Sequence, residues 1–213
     1  MKTDELVAML ASSVEAVPLH SSERRHAIAL ACGLPVALAL MVVFIGVRPD
    51  ITEAVALPMF WMKLAFPAVL LAGGAFAAIR LSRPGGRMGV TAVALAAPVL
   101  AIWLLAAVTL AGAAPAEYGL LIFGQTWAAC PFMIALLAVP LFVALIWAMQ
   151  GLAPTRPALA GAVAGLVAGA GGALVYAPHC PEMAAPFLGA WYVLGMAIPA
   201  IAGALLGPRM LRW

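Results

Sequence analysis

Residues 158–182 have the sequence ALAGAVAGLVAGAGGALVYAPHCPE, in which a membrane-length apolar run meets an abrupt polar end. The run 158–177 contains no charged residue and has the roughly 20 residues that a helix needs to cross a bilayer. Gly161, Gly165 and Gly169 recur along it at the spacing typical of closely packed membrane helices. The polar end offers an imidazole, a thiol, a carboxylate and two prolines, and such polar groups are scarce elsewhere in the chain.

The rest of the chain has the same apolar character. Of its 213 residues, 66% are hydrophobic and 9% are charged, whereas soluble domains carry roughly 25% charged residues. The sequence therefore predicts an all-α integral membrane protein, a polytopic six-helix transmembrane bundle with a short N-terminal tail. The spans are expected at about 27–47, 58–79, 88–112, 131–149, 158–177 and 186–206. We accordingly divide the chain into a tail, 1–26, and a six-span transmembrane domain, 27–213.

The basic residues predict the orientation in the lipid bilayer, because cytoplasmic loops carry an excess of lysine and arginine. Of the 11 lysine and arginine residues, all but Arg48 and Lys63 fall on the side that holds both termini. We therefore expect both termini in the cytoplasm. Lys63 lies inside the second span after three large apolar residues, and we expect its ammonium to snorkel to the interface. A charge inside a span is otherwise a sign of function.

The tail carries helical periodicity. Apolar residues recur at helical spacing from residue 6 onward, and acidic residues stand in the first turn, where the helix dipole favours them. A helix this short is marginal alone, so the alternatives are a membrane-surface or disordered tail and a helix that orders on a partner. The acidic start favours a protein partner. The candidate partner-binding residues are Asp4, Glu5, Leu6, Leu10 and Val14.

Two of the three cysteines share an unusual context. Cys130 and Cys180 each stand at a predicted membrane boundary, each precedes a proline, and both fall on the extracytoplasmic side, where disulfides are permitted. A structural disulfide is one interpretation, and a thiol pair that senses oxidants or soft metals is the other. Because an imidazolium lowers the pKa of a neighbouring thiol, His179 is a third candidate for the sensing site. Cys32, inside the first span, is expected to be an inert small hydrophobe.

No cofactor follows with certainty from these residues. A soft metal ion such as Cu(I) selects thiolate and thioether ligands, which makes Cys130 and Cys180 candidate metal ligands. Met183 and His179 would extend that ligand set. The spacing is not that of a zinc site, so thiol chemistry is favoured over metal chemistry.

Other functional classes fit less well. A membrane thiol oxidoreductase is the enzyme alternative, but such enzymes commonly use a Cys-x-x-Cys pair, which this chain lacks. A small metal or solute transporter would need polar groups near the middle of its spans, and none contains a central carboxylate. No clustered basic face indicates direct contact with nucleic acid. We therefore predict a binding and signalling protein rather than an enzyme.

The order of several short motifs resembles the NrsF family, the membrane anti-sigma factors of Gram-negative bacteria. Thr3-Asp4-Glu5-Leu6 begins the tail, Phe60-Trp61-Met62-Lys63 lies in the second span, and Thr126-Trp127 precedes Cys130-Pro131. His179-Cys180-Pro181-Glu182 then precedes the last span, and Arg209-Met210-Leu211-Arg212-Trp213 ends the chain. The resemblance covers essentially the whole sequence.

The resemblance implies a function and a location. Such a protein would sit in the bacterial inner membrane and sequester an extracytoplasmic-function sigma factor through the segment before Ala27. By position, Cys130 and Cys180 would be the paired outer cysteines through which that family responds to heavy-metal or oxidative stress. Release of the sigma factor would follow a change at those thiols.

Overall fold

The computed structural model describes residues 3–12 and 20–212, and all regular structure in those ranges is helical. A short helix, α1 (Thr3–Ser12), stands first. The other α-helices are α2 (Ser21–Leu40), α3 (Ile51–Ala54), α4 (Pro58–Leu81), α5 (Val90–Gly112), α6 (Tyr118–Phe123), α7 (Cys130–Met149), α8 (Pro157–Tyr176), α9 (Ala185–Phe187) and α10 (Val193–Met210). Two π-helical turns, Met41–Ile45 and Leu188–Tyr192, extend α2 and join α9 to α10, and a 3-10 turn, Pro115–Glu117, precedes α6.

Six helical stretches are long and apolar enough to cross a membrane, which confirms the predicted all-α six-helix bundle. They are Ser21–Ile45, Pro58–Leu81, Val90–Gly112, Cys130–Met149, Pro157–Tyr176 and Ala185–Met210. The first begins at Ser21, earlier than the predicted start near residue 27. Hydropathy locates the part of a helix that lies in lipid, whereas the polar residues 21–26 continue the same helix beyond that part.

The centre of the bundle is α8, which packs against α10, α7 and α4. Its glycines allow the closest approach. A Cβ atom at Gly165 would lie 1.9 Å from the carbonyl oxygen of Pro199, and one at Gly161 would lie 2.1 Å from that of Gly203. The backbones of α8 and α10 are therefore in direct contact along this face, as small residues at this spacing permit.

The two ends of the bundle differ chemically. At one, which we call the arginine end, Gly85 N–H donates to the Thr155 hydroxyl at 3.3 Å, and the Gln150 amide donates to the Met210 carbonyl at 3.4 Å. The arginines near this end are Arg24, Arg25, Arg80, Arg83, Arg87, Arg156, Arg209 and Arg212. The opposite end, which we call the thiol end, carries the connections after α2, before α7 and after α8.

Candidate functional site

Two cysteine side chains from different connections meet at the thiol end. Cys130 is the first residue of α7, and Cys180 lies in the turn between α8 and α9. Both residues are 0% exposed, and their thiols are close enough to hydrogen-bond each other. Both are free thiols, as is Cys32, which is exposed on α2 and takes no part in this site.

Backbone hydrogen bonds fix the position of each thiol. The Thr126 carbonyl accepts the Cys130 amide at 2.9 Å, which closes the turn that leads into α7. The Tyr176 carbonyl accepts the Cys180 amide at 3.3 Å, so the chain folds back directly after α8. The proline after each cysteine has a fixed φ and no N–H group, and it therefore suits a helix start or a tight loop.

Lys63 places a buried positive charge beside the thiols. The residue is 0% exposed, and its ammonium donates to the carbonyls of Cys180 at 2.5 Å and Glu182 at 2.9 Å. It also lies 5.7 Å from the ring centre of Tyr192. The expectation that Lys63 snorkels to the interface is wrong, because Lys63 lies on the buried face of α4 together with Phe60. Its two carbonyl acceptors replace water around the charge.

A second cation holds the same turn from its outer side. Arg48 Nη1 lies 3.5 Å from the Cys180 carbonyl and donates to that of Pro181 at 3.3 Å. Its Nε and Nη2 donate to the two carboxylate oxygens of Asp50 at 2.7 and 2.5 Å. This bidentate pair raises the pKa of Arg48 and lowers the pKa of Asp50. Cations therefore contact three successive carbonyls, from Cys180 to Glu182.

Glu182 connects the turn after α8 to the segment before α7. Its Oε1 accepts the backbone amides of Gln125 at 2.7 Å and Thr126 at 3.3 Å, and it lies 3.4 Å from the Thr126 hydroxyl. Gly124 has φ of 53°, and a Cβ atom there would lie 2.4 Å from the Glu182 carboxylate. The carboxylate of Glu182 thus occupies the space that the side chain of any residue larger than glycine would need at position 124. Through Thr126 it also reaches the turn that positions Cys130.

His179 and Met183 lie in the same turn with different surroundings. His179 Nδ1 lies 2.8 Å from the Gly46 carbonyl, and its ring packs on Tyr176 with 5.4 Å between ring centres. Met183 is half-buried. Among the residues that the structure describes, no three His, Cys, Asp or Glu side chains converge to hold a metal ion. A metal at this site would therefore depend on the two thiolates, which suits a soft ion.

The surroundings favour a thiolate at Cys180. A hydrogen bond from the Cys130 thiol, opposed by burial and assisted by the Lys63 charge, lowers the pKa of Cys180 to about 6. The buried Tyr192 hydroxyl also faces Cys180 and further lowers the pKa of this thiol. A thiolate is the reactive form of cysteine towards both oxidants and soft metals.

The N-terminal candidates lie on α1 or just beyond it. Asp4 and Glu5 occupy the first turn of α1, and the side chain of Leu6 is exposed. Leu10 belongs to the helix, and Val14 lies outside the described residues. Val7 and Met9 are 59% and 56% exposed, so α1 carries uncovered apolar surface.

Comparison with known proteins identifies the family. The family model described as "Negative regulator of sigma F" matches residues 10–213. The chain belongs to the NrsF family. A protein of Azospira oryzae described as a probable anti-sigma-F factor NrsF is 51% identical over 213 residues, the full length of both chains. The anti-sigma-F factor NrsF of Caulobacter vibrioides is 35% identical over 215 aligned residues, again across both full lengths. No solved structure matches this chain.

Family membership confirms the resemblance seen in the motifs. NrsF proteins are negative regulators, so the prediction of a regulatory protein rather than an enzyme is also confirmed.

Sequence reasoning found the cysteines but missed most of the residues around them. Arg48 and Glu182 act through contacts to the backbone of distant loops, and their spacing in the chain carries no sign of these contacts. Nothing in the sequence distinguishes Tyr192 from the other aromatic residues of the predicted spans. Lys63 did carry a signal, since a charge inside a span is a mark of function, but neighbouring aromatic residues favoured the interfacial interpretation.

Proposed function

We propose that this NrsF protein is an inner-membrane anti-sigma factor that holds an extracytoplasmic-function sigma factor and releases it when Cys130 and Cys180 react. The observation that carries the proposal is the meeting of these two free thiols, from separate loops, in an enclosed site beside a buried lysine. Two cysteines with no shared role would have no reason to lie together in an enclosed site beside a buried lysine. The names of the relatives support the sigma-factor partner.

The chemical difference between the two ends supports the proposed orientation. With the arginine end in the cytoplasm, as the positive-inside rule favours, both chain termini face the sigma factor. The thiol end then lies on the extracytoplasmic side, where oxidants and metals arrive first and where disulfides persist. Stimulus and partner would thus meet the protein on opposite faces of the membrane.

The oxidative reaction is a two-electron step. The two thiols lose two protons and two electrons, and the Cys130–Cys180 disulfide forms. With hydrogen peroxide as oxidant, the peroxide bond breaks and two molecules of water are released. A soft metal ion would instead displace two thiol protons and bridge the sulfur atoms. Either change replaces a weak thiol hydrogen bond by a strong link between α7 and the turn after α8.

Partner binding is assigned to the N-terminal segment. Leu6, Val7 and Met9 are exposed on α1, and a helix of ten residues has little stability alone. Binding to a groove of the sigma factor would cover Leu6 and order the segment, in the manner of helix-in-groove recognition.

The proposal is tested on the full-length protein co-purified with its sigma factor. Cys130→Ser and Cys180→Ser should each abolish sigma-factor release by hydrogen peroxide, and the double variant should be no worse, because the pair acts as one unit. Mass spectrometry of non-reduced peptides should show the Cys130–Cys180 crosslink in the wild type. Cys32→Ser is the matched control and should release normally. Additive effects of the two single variants, or a crosslinked wild type that keeps its partner, would contradict the proposal.

A further inference from the structure

Lys63 joins the thiol site to a long helix. It lies near the thiol end of α4, and its ammonium donates to the carbonyls on both sides of Pro181. Both of these hydrogen bonds thus go to the turn that carries Cys180. A buried ammonium that lost these acceptors would stand uncompensated in apolar surroundings, which is strongly unfavourable. When the turn moves, Lys63 is therefore expected to move with it.

The other end of α4 contacts the start of α2. Ser82, directly after α4, has its hydroxyl 3.4 Å from Nε2 of His26, which is itself 0% exposed. Arg83 forms an ion pair with Glu23. The Ser22 hydroxyl lies 3.5 Å from the Ile79 carbonyl. These contacts fall in the first two turns of α2, immediately after the N-terminal segment.

Helix α4 has 24 residues and stays helical through Pro67, and its stretch from Lys63 to Leu81 is about 27 Å long at 1.5 Å per residue. It packs against the central helix α8. A helix of this kind moves more readily as a body than by internal compression, and it is therefore suited to carry a displacement from the thiol end to the arginine end.

We propose that Lys63 is a positioning residue that couples the Cys180 turn to α4 and, through Ser82, to the start of α2, where the N-terminal segment begins. This inference rests on the proposed function. A bond between Cys130 and Cys180 draws the turn towards α7, and Lys63 transfers that displacement to α4. A shift of Ser82 against His26 then changes the position of the N-terminal segment relative to the sigma factor.

Arg48 provides a matched control within the same site. It also contacts the Cys180 and Pro181 carbonyls, but it lies in a connection and is anchored to Asp50 rather than to a long helix. Loss of Arg48 removes a cation from the turn without cutting the connection to α4. Arg48→Met and Lys63→Met therefore separate the effect of a missing charge from the effect of a missing link.

The experiment uses the full-length protein with its co-purified sigma factor and measures three quantities: partner capture in the reduced state, the Cys130–Cys180 crosslink after hydrogen peroxide, and partner release. Lys63→Met should capture like the wild type but crosslink more slowly, because its charge no longer favours the Cys180 thiolate. Release is therefore compared at equal crosslinked fractions, after a longer peroxide exposure of the variant. At that point Lys63→Met should release about 10-fold less sigma factor, a loss equivalent to one decade in equilibrium constant. Arg48→Met should release normally. Ser82→Ala, which leaves the thiol site untouched, should also release less, and the Lys63→Met/Ser82→Ala double variant should be no worse than Lys63→Met alone.

The outcomes distinguish this inference from the proposed function. A wild type that crosslinks without release overturns the proposed function. A crosslinked Lys63→Met protein that releases normally overturns the inference and leaves the function intact. Should Lys63→Met fail to insert, Ser82→Ala decides, and normal release from it overturns the coupling through α4.

Discussion

At the scale of single residues, Glu182 makes a sharp prediction about thiol pairing. Its carboxylate holds the segment before Cys130 against the turn of Cys180. Glu182→Ala removes these hydrogen bonds, and those to a charged acceptor contribute about 1.5–3 kcal/mol each. We expect the effective concentration of the two thiols, measured by equilibration with a glutathione redox buffer, to fall ~10-fold or more.

Glu117→Ala is the control for that measurement. Glu117 also lies at the thiol end and also accepts a backbone amide, but its partner is the nearby Ala114 at 3.2 Å. Its loss should leave thiol pairing unchanged. Equal effects of the two substitutions would show that Glu182 has no special part in aligning the thiols.

The lowered pKa of Cys180 predicts a pH dependence. With its pKa at about 6, this thiol is largely ionised at neutral pH, whereas an ordinary thiol titrates near 8.5. Since only the thiolate reacts, the rate of crosslinking by peroxide should stay nearly constant from pH 8 to 7 and fall about 10-fold per unit well below 6. A rate that falls steadily from pH 9 would indicate an ordinary thiol.

How far single residues could be predicted depended on the kind of contact they make. Cys130 and Cys180 can be recognised in the sequence because each is followed by a proline and stands at the boundary of an apolar run. His179 was predicted from its position beside Cys180, yet the charge that lies near the thiols belongs to Lys63, far away in the chain. Sequence adjacency identifies a neighbouring group, but the direction of its side chain depends on the tertiary fold.

At the scale of helices, the contact between α8 and α10 is the part of the bundle most sensitive to volume. A methyl group at Gly165 would meet the backbone of α10 and force the two helices apart. We expect Gly165→Ala to lower the free energy of unfolding in detergent micelles by about 2 kcal/mol, as overpacking typically does. Gly112→Ala is the control, because its Cβ atom would meet open space. Equal stability of the two variants would contradict the close packing.

The helix α1 predicts where the partner binds. Charging Leu6 and Leu10 together should abolish sigma-factor capture while leaving membrane insertion intact, since a hot spot of this kind contributes ~2 kcal/mol or more. Co-purification of the sigma factor with the Leu6→Asp/Leu10→Asp variant measures this directly. Ser12→Asp, on the same helix, is the control for added charge. Full capture by the double variant would place the docking surface elsewhere.

Helix positions could be predicted well from the sequence because uncharged apolar runs of this length rarely form anything but membrane-spanning helices. The extent of each helix was less predictable. The polar start of α2 and the short helix α6 lie outside the apolar runs. The π-helical turn at Leu188–Tyr192, which precedes α10, could not be predicted from the hydropathy either. The start of α2 contacts the end of α4, and the π-helical turn packs against α5 and α7, so both depend on tertiary contacts between helices.

At the scale of the whole molecule, the contrast between the two ends predicts the topology. A reporter that is active only in the cytoplasm should work when fused after Arg87 and fail when fused after Glu117, because short arginine-rich connections stay in the cytoplasm. A periplasm-active reporter at the same two sites should give the reciprocal result. Cytoplasmic activity after Glu117 would reverse the orientation and place the thiols on the side of the sigma factor.

The complete enclosure of the two thiols has a consequence for timing. A reagent reaches them only while the turn is open, so the rate of response depends on the open fraction as well as on the reagent. Brief exposures would end before many molecules had opened. A disulfide formed there would in turn be shielded from reductants, which must attack a sulfur atom directly. We therefore expect a slow onset and a slower decay, so that the protein keeps a record of sustained exposure after the stimulus has gone.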